Sequence, residues 1–376
     1  MMAAISCDDM SEKLHVLIAC GGTGGHLFPG IAVAEEFRKR GHRVLLLISE
    51  KKVDAQGAEK YKDLAFRTVP AIAKPATLSP RMIPFLFRLW RTVRQCRRIL
   101  IESQCDAVLG MGGFTSLPPV LAARRLGLMA YVHDSNAVPG KANRLTARWC
   151  NKVFLGLDAA ATSFPNSNTV VTGTPVRGEL SNPVGQAEAR KKYGLHPESK
   201  VVLVMGGSQG AKRLNTLVVE AAKAMPGVAF LHITGALDYD RVNGLAEGCE
   251  NFRVMSFCDD MASAYAACDV AVCRSGASSM TELAHIRLPS ILVPYPFAAD
   301  DHQTANAQVY EKAGAAVLRQ EAELDAGALV ADLTRILEDE EYANTMSARL
   351  DDLAMRDAAE RICDEISVDV LTGRNI

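Results

Sequence analysis

A glycine-rich turn near the start of the chain is the first stretch whose residue types could do chemistry. Gly21-Gly22-Thr23-Gly24-Gly25-His26 lies between an apolar run, residues 14–19, and a helical pattern that begins near Pro29. Four glycines in five residues let the backbone turn sharply and point its N–H groups at a ligand. With a helix N-terminus behind it, such a turn attracts a phosphate or the polar edge of a sugar. The stretch therefore predicts a nucleotide-type ligand.

Two common nucleotide motifs can be tested against this turn. A Walker A loop requires a lysine after its glycines, and none follows here. In a dinucleotide fingerprint counted from Gly22, Leu27 occupies the position of the third glycine. Glu50 ends the next predicted strand, where a ribose-binding acid is expected, so a dehydrogenase stays open as an alternative. His26 places a titratable side chain at the edge of the turn, where it could take part in chemistry. The alternative is that it only caps the helix or forms a local hydrogen bond.

The second half of the chain carries similar stretches. Residues 206–210 form another glycine turn after an apolar run, and residues 274–282 place small and hydroxyl side chains at a predicted helix start, which suits a diphosphate. Glu282 could bind the two hydroxyls of a ribose; the alternative is a first-turn acid that complements the helix dipole. Residues 294–306 supply amide side chains for sugar hydroxyls. Asp238-Tyr239-Asp240 is too short a signal for a metal site, and no spaced Cys/His set or hydrolytic triad motif is present.

The elements that must position these residues alternate between strand and helix. This pattern predicts an α/β fold with two Rossmann-like, doubly wound domains that face a cleft and bind ligands at the carboxyl ends of their strands. We expect domains at 1–180 and 181–355, with a C-terminal helix at 356–376 that packs back toward the first domain. The predicted strands are residues 14–19, 44–49, 64–69, 107–109, 129–133, 153–155, 200–205, 228–233, 252–255, 270–273, 290–293 and 315–318.

Composition and charge narrow the class of protein. The chain has 376 residues, 48% of them hydrophobic and 23% charged, which is typical of a globular protein of two domains. We see no signal peptide, and ten cysteines without C-x-x-C pairs predict reduced thiols, hence a cytosolic location. Residues 1–178 hold 24 Lys and Arg against 13 Asp and Glu. This basic half indicates an anionic partner; without an aromatic-interleaved basic motif we expect no nucleic acid, and an anionic membrane surface fits instead.

Residues 81–98 form a helical stretch that combines large apolar side chains with arginines and contains no acid. Such a helix suits the interface of an anionic bilayer. The alternative is a packed helix with a solvated basic face. The basic first half favours membrane contact, through the side chains of Phe87, Arg88, Trp90, Arg91 and Arg94.

Taken together, the motifs resemble those of the bacterial N-acetylglucosaminyltransferases that convert lipid I (undecaprenyl-diphospho-muramoyl-pentapeptide) to lipid II in peptidoglycan synthesis. The resemblance implies a glycosyltransferase-B fold, UDP-N-acetylglucosamine as donor, no cofactor or metal, and a peripheral position on the cytoplasmic face of the inner membrane. The motifs that carry it are GGTGGH, GMGGF, HDSN, GTPVR, GGSQGA, FCDDM, RSGASSMTE, DDHQTANA and KAGAA.

The resemblance also implies the site residues. The donor contacts are Thr23, Gly24, Gly25, Asn136, Arg177, Ser208, the main chain of Cys258, Ala277, Ser278, Ser279, Glu282 and Gln303. The implied reaction is an inverting transfer in which the acceptor 4-hydroxyl attacks the sugar C1, so a general base is needed. His26 is the preferred base, and Asp134 is the rival, alone or orienting the histidine.

The sequence departs from the family's usual motifs at several positions. Phe114 stands where the family often has Tyr, Asp134-Ser135 replaces Glu-Gln, and Thr174 replaces Asn. Cys258 and the run Ser278-Ser279-Met280 also differ. A cytosolic relative that hydrolyses or epimerises UDP-N-acetylglucosamine is the alternative function. A non-catalytic protein of the membrane surface is a third possible function. The presence of His26, Glu282 and Gln303 disfavours it, since such a protein would not need these residues.

Overall fold

The chain folds into two units, seen here in a computed structural model. The structure describes residues 13–22, 24–50, 60–71, 75, 79–181, 184–206 and 211–374. Unit 1 comprises Met1–Arg177 together with Met355–Ile376, and unit 2 comprises Gly178–Ala354. The chain thus leaves unit 1 after Arg177 and returns to it at Met355.

Unit 1 is built on a parallel sheet whose strand order in the described residues is β3-β2-β1-β4-β5-β6-β7. Its central strands are buried along their whole length because helices cover both faces of a doubly wound sheet. The order reverses between β1 and β4, so the turns after these two strands lie side by side. The strands are β1 His15–Ala19, β2 Arg43–Ser49, β3 Ala65–Val69, β4 Ala107–Gly110, β5 Met129–Asp134, β6 Lys152–Leu155 and β7 Thr169–Val171.

The helices of unit 1 cover the two faces of this sheet. They are α1 Gly24–Lys39, α2 Met82–Glu102, α3 Leu117–Leu126, α4 Lys141–Thr146 and the C-terminal helix α13 Ala358–Arg374, with 3₁₀ turns at Ala147–Trp149 and Asp158–Ser163. One buried cluster joins α1 and α13 to the sheet, and another joins α2 and α3 to its opposite face. Two separate apolar layers therefore stabilise the unit.

The helix α13 is held on unit 1 by apolar packing and by charge. Ile362 and Ile366 are fully buried in the cluster that contains α1. At the edge of this contact, the ammonium group of Lys152 lies 2.6 Å from Glu365 and 2.7 Å from Asp369. The hydroxyl of Tyr131 also donates to Asp369, at 3.2 Å. The chain terminus is thereby part of the first folding unit.

Unit 2 repeats the plan with strand order β10-β9-β8-β11-β12-β13, again all parallel. Its strands are β8 Lys200–Met205, β9 Val228–Ile233, β10 Phe252–Met255, β11 Val270–Cys273, β12 Ser290–Leu292 and β13 Val317–Leu318. Its helices are α5 Gln186–Lys192, α6 Lys212–Ala224, α7 Tyr239–Leu245, α8 Met261–Ala267, α9 Ala277–Ile286, α10 His302–Lys312, α11 Ala326–Glu338 and α12 Glu340–Leu353, with 3₁₀ turns at Gly178–Ser181 and Ala299–Asp301.

The predicted α/β fold with two Rossmann-like domains is confirmed, and each of the twelve predicted strands overlaps an observed one. The sequence analysis missed β7, Thr169–Val171. This strand has three residues, lies at the sheet edge and is only half-buried, so it lacks the long apolar run that identifies a strand. The nine cysteines of the described residues are free thiols, as predicted.

A buried polar cluster lies beneath α6 in unit 2. The imidazole Nε2 of His232 lies 3.0 Å from Oδ1 of Asn215, whose amide nitrogen donates to Asp238 at 2.7 Å. The guanidinium of Arg241 closes the cluster by donating to both oxygens of Asp238. Burial lowers the pKa of His232 to about 3, so this histidine is neutral in the folded protein.

This histidine predicts a pH dependence of stability. Its folded-state pKa lies below the ordinary 6.5, so its contribution to stability is complete above pH 6.5 and is lost as the pH falls toward 3. We expect the free energy of unfolding to fall by up to about 1.4 kcal/mol per pH unit from this group. Urea denaturation between pH 7 and pH 4.5 measures it. His232→Asn should flatten the profile, and the exposed control His196→Asn should not; equal profiles for parent and His232→Asn would contradict the prediction.

Candidate functional site

Two glycine turns meet at the carboxyl edge of the first sheet. The first follows β1, where Gly22 has φ +117°, and the second follows β4, where Gly112 and Gly113 have φ +122° and +68°. These left-handed angles favour glycine. The hydroxyl of Ser116 closes the second turn, since it accepts from the Gly112 N–H at 3.0 Å and donates to the Gly112 carbonyl at 2.9 Å.

His26 lies directly over the second turn. It is half-buried in the first turn of α1. A Cβ atom at Gly112 would lie 2.8 Å from the imidazole Cδ2 and Nε2, and one at Gly113 would lie 3.3 Å from Cε1. The ring therefore packs against bare backbone, and the absence of side chains at both positions is what admits it. The sequence showed two glycine motifs; only the fold shows that the histidine of one occupies the space above the other.

The Asp134 carboxylate forms hydrogen bonds within the segment that follows β5. It is buried, and its oxygens accept hydrogen bonds from both nitrogens of Asn136, the backbone N–H of Gly140 and the side-chain amide of Asn143, at 2.9–3.2 Å. The same Asn143 nitrogen would lie 3.3 Å from a Cβ at Gly112. Asn143 thus lies between Asp134 and the second glycine turn, against which the His26 ring packs. Sequence reasoning missed it because no local pattern marks it.

His133, beside Asp134, is a neutral structural histidine. It is fully buried, and its Nε2–H donates to the Gly173 carbonyl at 2.9 Å. Burial lowers its pKa, so the uncharged form is favoured. This bond ties the end of β5 to the GTPVR segment.

Arg177, at the end of that segment, lies beside the first glycine turn. Its guanidinium carbon is 4.5 Å from the centroid of the Phe28 ring. The same ring reaches 3.3 Å from the Cβ position of Gly24. Arg177 is buried in this stacked arrangement, so its charge is held close to the start of α1.

In unit 2, a helix start and a buried acid follow β11. Gly276 is the N-cap of α9; its backbone is extended, and no side chain caps the helix. In the first turn, Ala277 is buried, and Ser278 and Ser279 are half-buried. Glu282 is buried in the second turn and accepts from the Tyr265 hydroxyl at 2.7 Å. Its position in the second turn disfavours the alternative in which it complements the helix dipole, which acts within the first turn.

The loop after β12 holds Gln303 at the start of α10. The backbone N–H of Tyr295 donates to Oε1 of Gln303 at 2.9 Å. Further along α10, the fully buried Asn306 donates to the carbonyl of Ser275 at 3.2 Å, which ties this helix to the segment before α9. Gln303 and Glu282 therefore belong to two neighbouring strand ends of one sheet.

Cys258 follows β10 and is buried. Its thiol donates to the carbonyl of Asp260 at 3.3 Å, and burial raises its pKa. Asp238, the first acid of the D-x-D stretch, is the N-cap of α7 and pairs with Arg241. Among the described residues, no three acid, histidine or cysteine side chains form a group suited to a metal ion.

Comparison with known proteins identifies the family. The N-terminal domain model of glycosyltransferase family 28 matches residues 16–155, and the C-terminal domain model matches residues 201–362. The chain belongs to glycosyltransferase family 28. The resemblance inferred from the motifs is thus confirmed.

Individual relatives narrow this family-28 assignment. The UDP-N-acetylglucosamine–N-acetylmuramyl-(pentapeptide) pyrophosphoryl-undecaprenol N-acetylglucosamine transferase of Geotalea daltonii is 37% identical over 94% of this chain and 97% of its own. The enzyme of the same name from Elusimicrobium minutum is 37% identical over 80% and 84%. Among solved structures, Acinetobacter baumannii MurG has a TM-score of 0.72 at 28% identity, with 94% of this chain and 99% of that one covered.

A second structural neighbour shares the fold alone. It is the UDP-GlcNAc 2-epimerase from Neisseria meningitidis bound to UDP-GlcNAc, with a TM-score of 0.69 at 15% identity over 93% of this chain and 99% of that chain.

The family-28 chain gathers its predicted site residues in two groups. In unit 1, Gly24, Gly25, His26 and Arg177 lie around the start of α1, and Asp134 and Asn136 lie at the end of β5. In unit 2, the start of α9, Glu282 and Gln303 lie at the ends of β11 and β12. Thr23 and Ser208 lie outside the described residues. The sequence did not identify Phe28, which contacts Arg177, or Tyr265, which donates to Glu282. An aromatic residue among apolar neighbours is usually interpreted as part of the hydrophobic core.

The helix α2 presents a continuous apolar surface to solvent. Its inner face is buried through Phe85, Val93 and Leu100, whereas Phe87 and Trp90 are 63% and 51% exposed. Leu86 and Ile83 are exposed beside them, and the Arg94 guanidinium lies 4.7 Å from the Trp90 ring. The remaining predicted contacts, Arg88 and Arg91, are exposed as well. Within the described residues, no helix has the length and apolar character needed to span a bilayer.

Proposed function

We infer that this protein transfers N-acetylglucosamine from UDP-N-acetylglucosamine to lipid I and so forms lipid II for peptidoglycan synthesis. The observation that carries this function is the 37% identity to a transferase of that name over nearly the full length of both chains. The alternative, hydrolysis or epimerisation of the donor, is not favoured, since the likeness to the epimerase stops at the fold.

We propose His26 as the general base. The acceptor hydroxyl must lose a proton as it attacks the sugar C1, and imidazole is suited to this near neutral pH. Of the two candidates, His26 is half-buried at the start of α1, whereas the Asp134 carboxylate is buried and already accepts four hydrogen bonds. Asp134 then acts as a positioning residue that holds Asn136 and the turn after β5.

The donor is proposed to bind mainly to unit 2. The uncapped start of α9, with Ala277, Ser278 and Ser279, suits the diphosphate because helix N-termini stabilise anions. Glu282 accepts hydrogen bonds from the ribose, in addition to the one from Tyr265. Gln303 contacts the sugar, and the main chain at Cys258 contacts the uracil. For Ser208 in unit 2, and for Thr23, Gly24, Gly25, Asn136 and Arg177 in unit 1, a donor contact is what the resemblance implies.

We propose that the outer face of α2 binds the cytoplasmic surface of the inner membrane, where lipid I resides. Exposed Phe87 and Trp90 would insert at the headgroup boundary, and the arginines on either side would pair with anionic lipids. An apolar surface of this kind is costly in water, which supports a contact partner.

The transfer itself is tested by release of UDP from UDP-N-acetylglucosamine, with and without a water-soluble lipid I analogue. We expect acceptor-dependent UDP release and a disaccharide product. Acceptor-independent release of UDP would instead support a hydrolase, and conversion of the donor to an isomeric UDP-sugar would support an epimerase.

For the base, His26→Ala should lower turnover by roughly 10²–10⁴-fold, the usual scale for loss of a general base, while the dissociation constant of UDP-N-acetylglucosamine stays near that of the parent. Asp134→Asn presents an amide nitrogen to donors that need an acceptor, so it should lower the midpoint of urea unfolding. Turnover of His26→Ala within a few-fold of the parent, together with a large loss in stable Asp134→Asn, would reverse the two roles.

For the membrane, Phe87→Ser and Trp90→Ser combined with Arg88→Glu, Arg91→Glu and Arg94→Glu should abolish sedimentation with anionic vesicles, since each basic residue contributes about 1 kcal/mol at such a surface. Turnover of the soluble acceptor should survive, and turnover of vesicle-borne acceptor should collapse.

A control for net charge reverses three exposed basic residues outside α2: Arg38 and Lys39 at the end of α1, and Arg43 at the start of β2. These reversals should leave most of the vesicle binding intact. If the α2 variant sediments as the parent does, α2 is ordinary domain surface.

A further inference from the structure

We propose that Arg274 and Glu321 form a positioning pair that orients Gln303 toward the donor sugar. This inference rests on the proposed function and adds two residues that no motif of the resemblance places in contact with the donor. The pair joins the segment before α9 to the loop that carries Gln303, so it would control sugar recognition without touching the sugar.

Arg274 is the first residue after β11 and is buried. One guanidinium nitrogen, Nη1, donates to the carbonyls of Val293 and Pro294 at 3.2 and 3.0 Å. The other, Nη2, donates to the Glu321 carboxylate at 2.7 Å. The guanidinium carbon also lies 5.5 Å from the centroid of the Tyr295 ring. One side chain thereby holds three consecutive residues, 293–295, against the end of the neighbouring strand.

Tyr295 passes this constraint to Gln303. Its backbone N–H donates to Oε1 of Gln303, which fixes the side that the amide oxygen faces. The Nε2 group of Gln303 is then the part of the amide that can donate to a sugar oxygen. The direction in which it points depends on the position of the Tyr295 backbone, which Arg274 fixes through the carbonyl of the preceding residue.

Glu321 connects Arg274 to a third segment, the helix α6 that follows β8. Its carboxylate accepts from Arg274, and its backbone carbonyl accepts from Nε of Arg213 at 3.0 Å. Arg213 lies in the first turn of α6, the helix that follows β8 in the chain. The segments after β8, β11 and β12 therefore converge on this one glutamate, which suits a part that sets relative positions.

The chemistry of the pair argues for positioning above stability. Both side chains are about nine-tenths buried, and buried ion pairs are often no more stabilising than apolar residues of the same volume. In addition, Nε of Arg274 and Oγ of the adjacent Ser275 are buried without a hydrogen-bond partner among the described residues, which is an energetic cost. A planar, five-donor group is needed to bind two carbonyls and a carboxylate in fixed directions.

The test is a double-mutant cycle on binding. Dissociation constants of UDP and of UDP-N-acetylglucosamine are measured by calorimetry for the parent, Arg274→Lys, Gln303→Ala and the combination. Lysine keeps the charge and loses the fork. We expect each single change to weaken UDP-N-acetylglucosamine about ten-fold, the scale of one hydrogen bond, and UDP less than about two-fold. The combination should also weaken the sugar nucleotide only about ten-fold, because both changes remove the same contact.

A matched control is the ion pair between Arg190 and Asp269. Asp269 directly precedes β11, whereas Arg274 directly follows it. Arg190 is buried, donates to both oxygens of Asp269, and donates to two carbonyls, those of Ala267 and Pro197. Arg190→Lys should lower the unfolding midpoint without changing either dissociation constant. Glu321→Gln, which is nearly isosteric, serves as a second variant from the other partner and should reproduce the effect of Arg274→Lys.

Three results would overturn the proposal: unchanged sugar-nucleotide binding in Arg274→Lys and Glu321→Gln, an equal loss for UDP, or a roughly hundred-fold loss in the combination. The binding cycle does not require transfer. A parent that binds UDP-N-acetylglucosamine but releases no UDP with the lipid I analogue would count against the proposed function, and the cycle would still test the positioning pair.

Discussion

The contact between the His26 ring and the bare backbone at Gly112 and Gly113 organises the first site. It exists because β1 and β4 are neighbours in a parallel sheet, which brings two turns that are distant in sequence to one edge. A Cβ atom at Gly112 would lie only 2.8 Å from the imidazole, so a side chain there would force the ring to move. The position of the His26 ring thus depends on glycine in the second turn as well as on histidine at the start of α1.

The two units use different side chains to satisfy buried backbone groups at the carboxyl edges of their sheets. In both, polar groups at the carboxyl edge of a parallel sheet must be held away from water, where an unmet hydrogen bond is costly. Unit 1 uses an acid: Asp134 accepts backbone and amide donors from one compact turn. Unit 2 uses a base: Arg274 donates to the carbonyls of a separate loop. An acid organises N–H groups, and an arginine organises carbonyls, so the exposed backbone groups decide which is used.

The helix α2 shows how one element serves both core and surface. Phe85 is buried and meets Phe114 edge-on, with ring centroids 6.2 Å apart, so the inner face of the helix contacts the GMGGF segment. On the outer face of the helix, Phe87 and Trp90 are exposed, and their ring centroids lie 6.0 Å apart. Phe114, which follows the second glycine turn, therefore packs against the helix that we propose to bind the membrane.

By itself, the sequence determined the strands, the two-domain plan and the residue types at each strand end. Buried parallel strands are continuous apolar runs, and glycine turns after them are local signals, so both can be read from neighbours in the chain. β7 escaped because a short, half-buried edge strand carries no such run. Only the tertiary structure decided the partners: His26 over Gly112, Asn143 on Asp134, Arg177 on Phe28 and Arg274 on Glu321. Asn143 and Asp134 are nine residues apart and follow the same strand, but their contact needs the folded turn between them. The other three contacts join residues from different strand ends, and their geometry depends on sheet order, which no local pattern encodes.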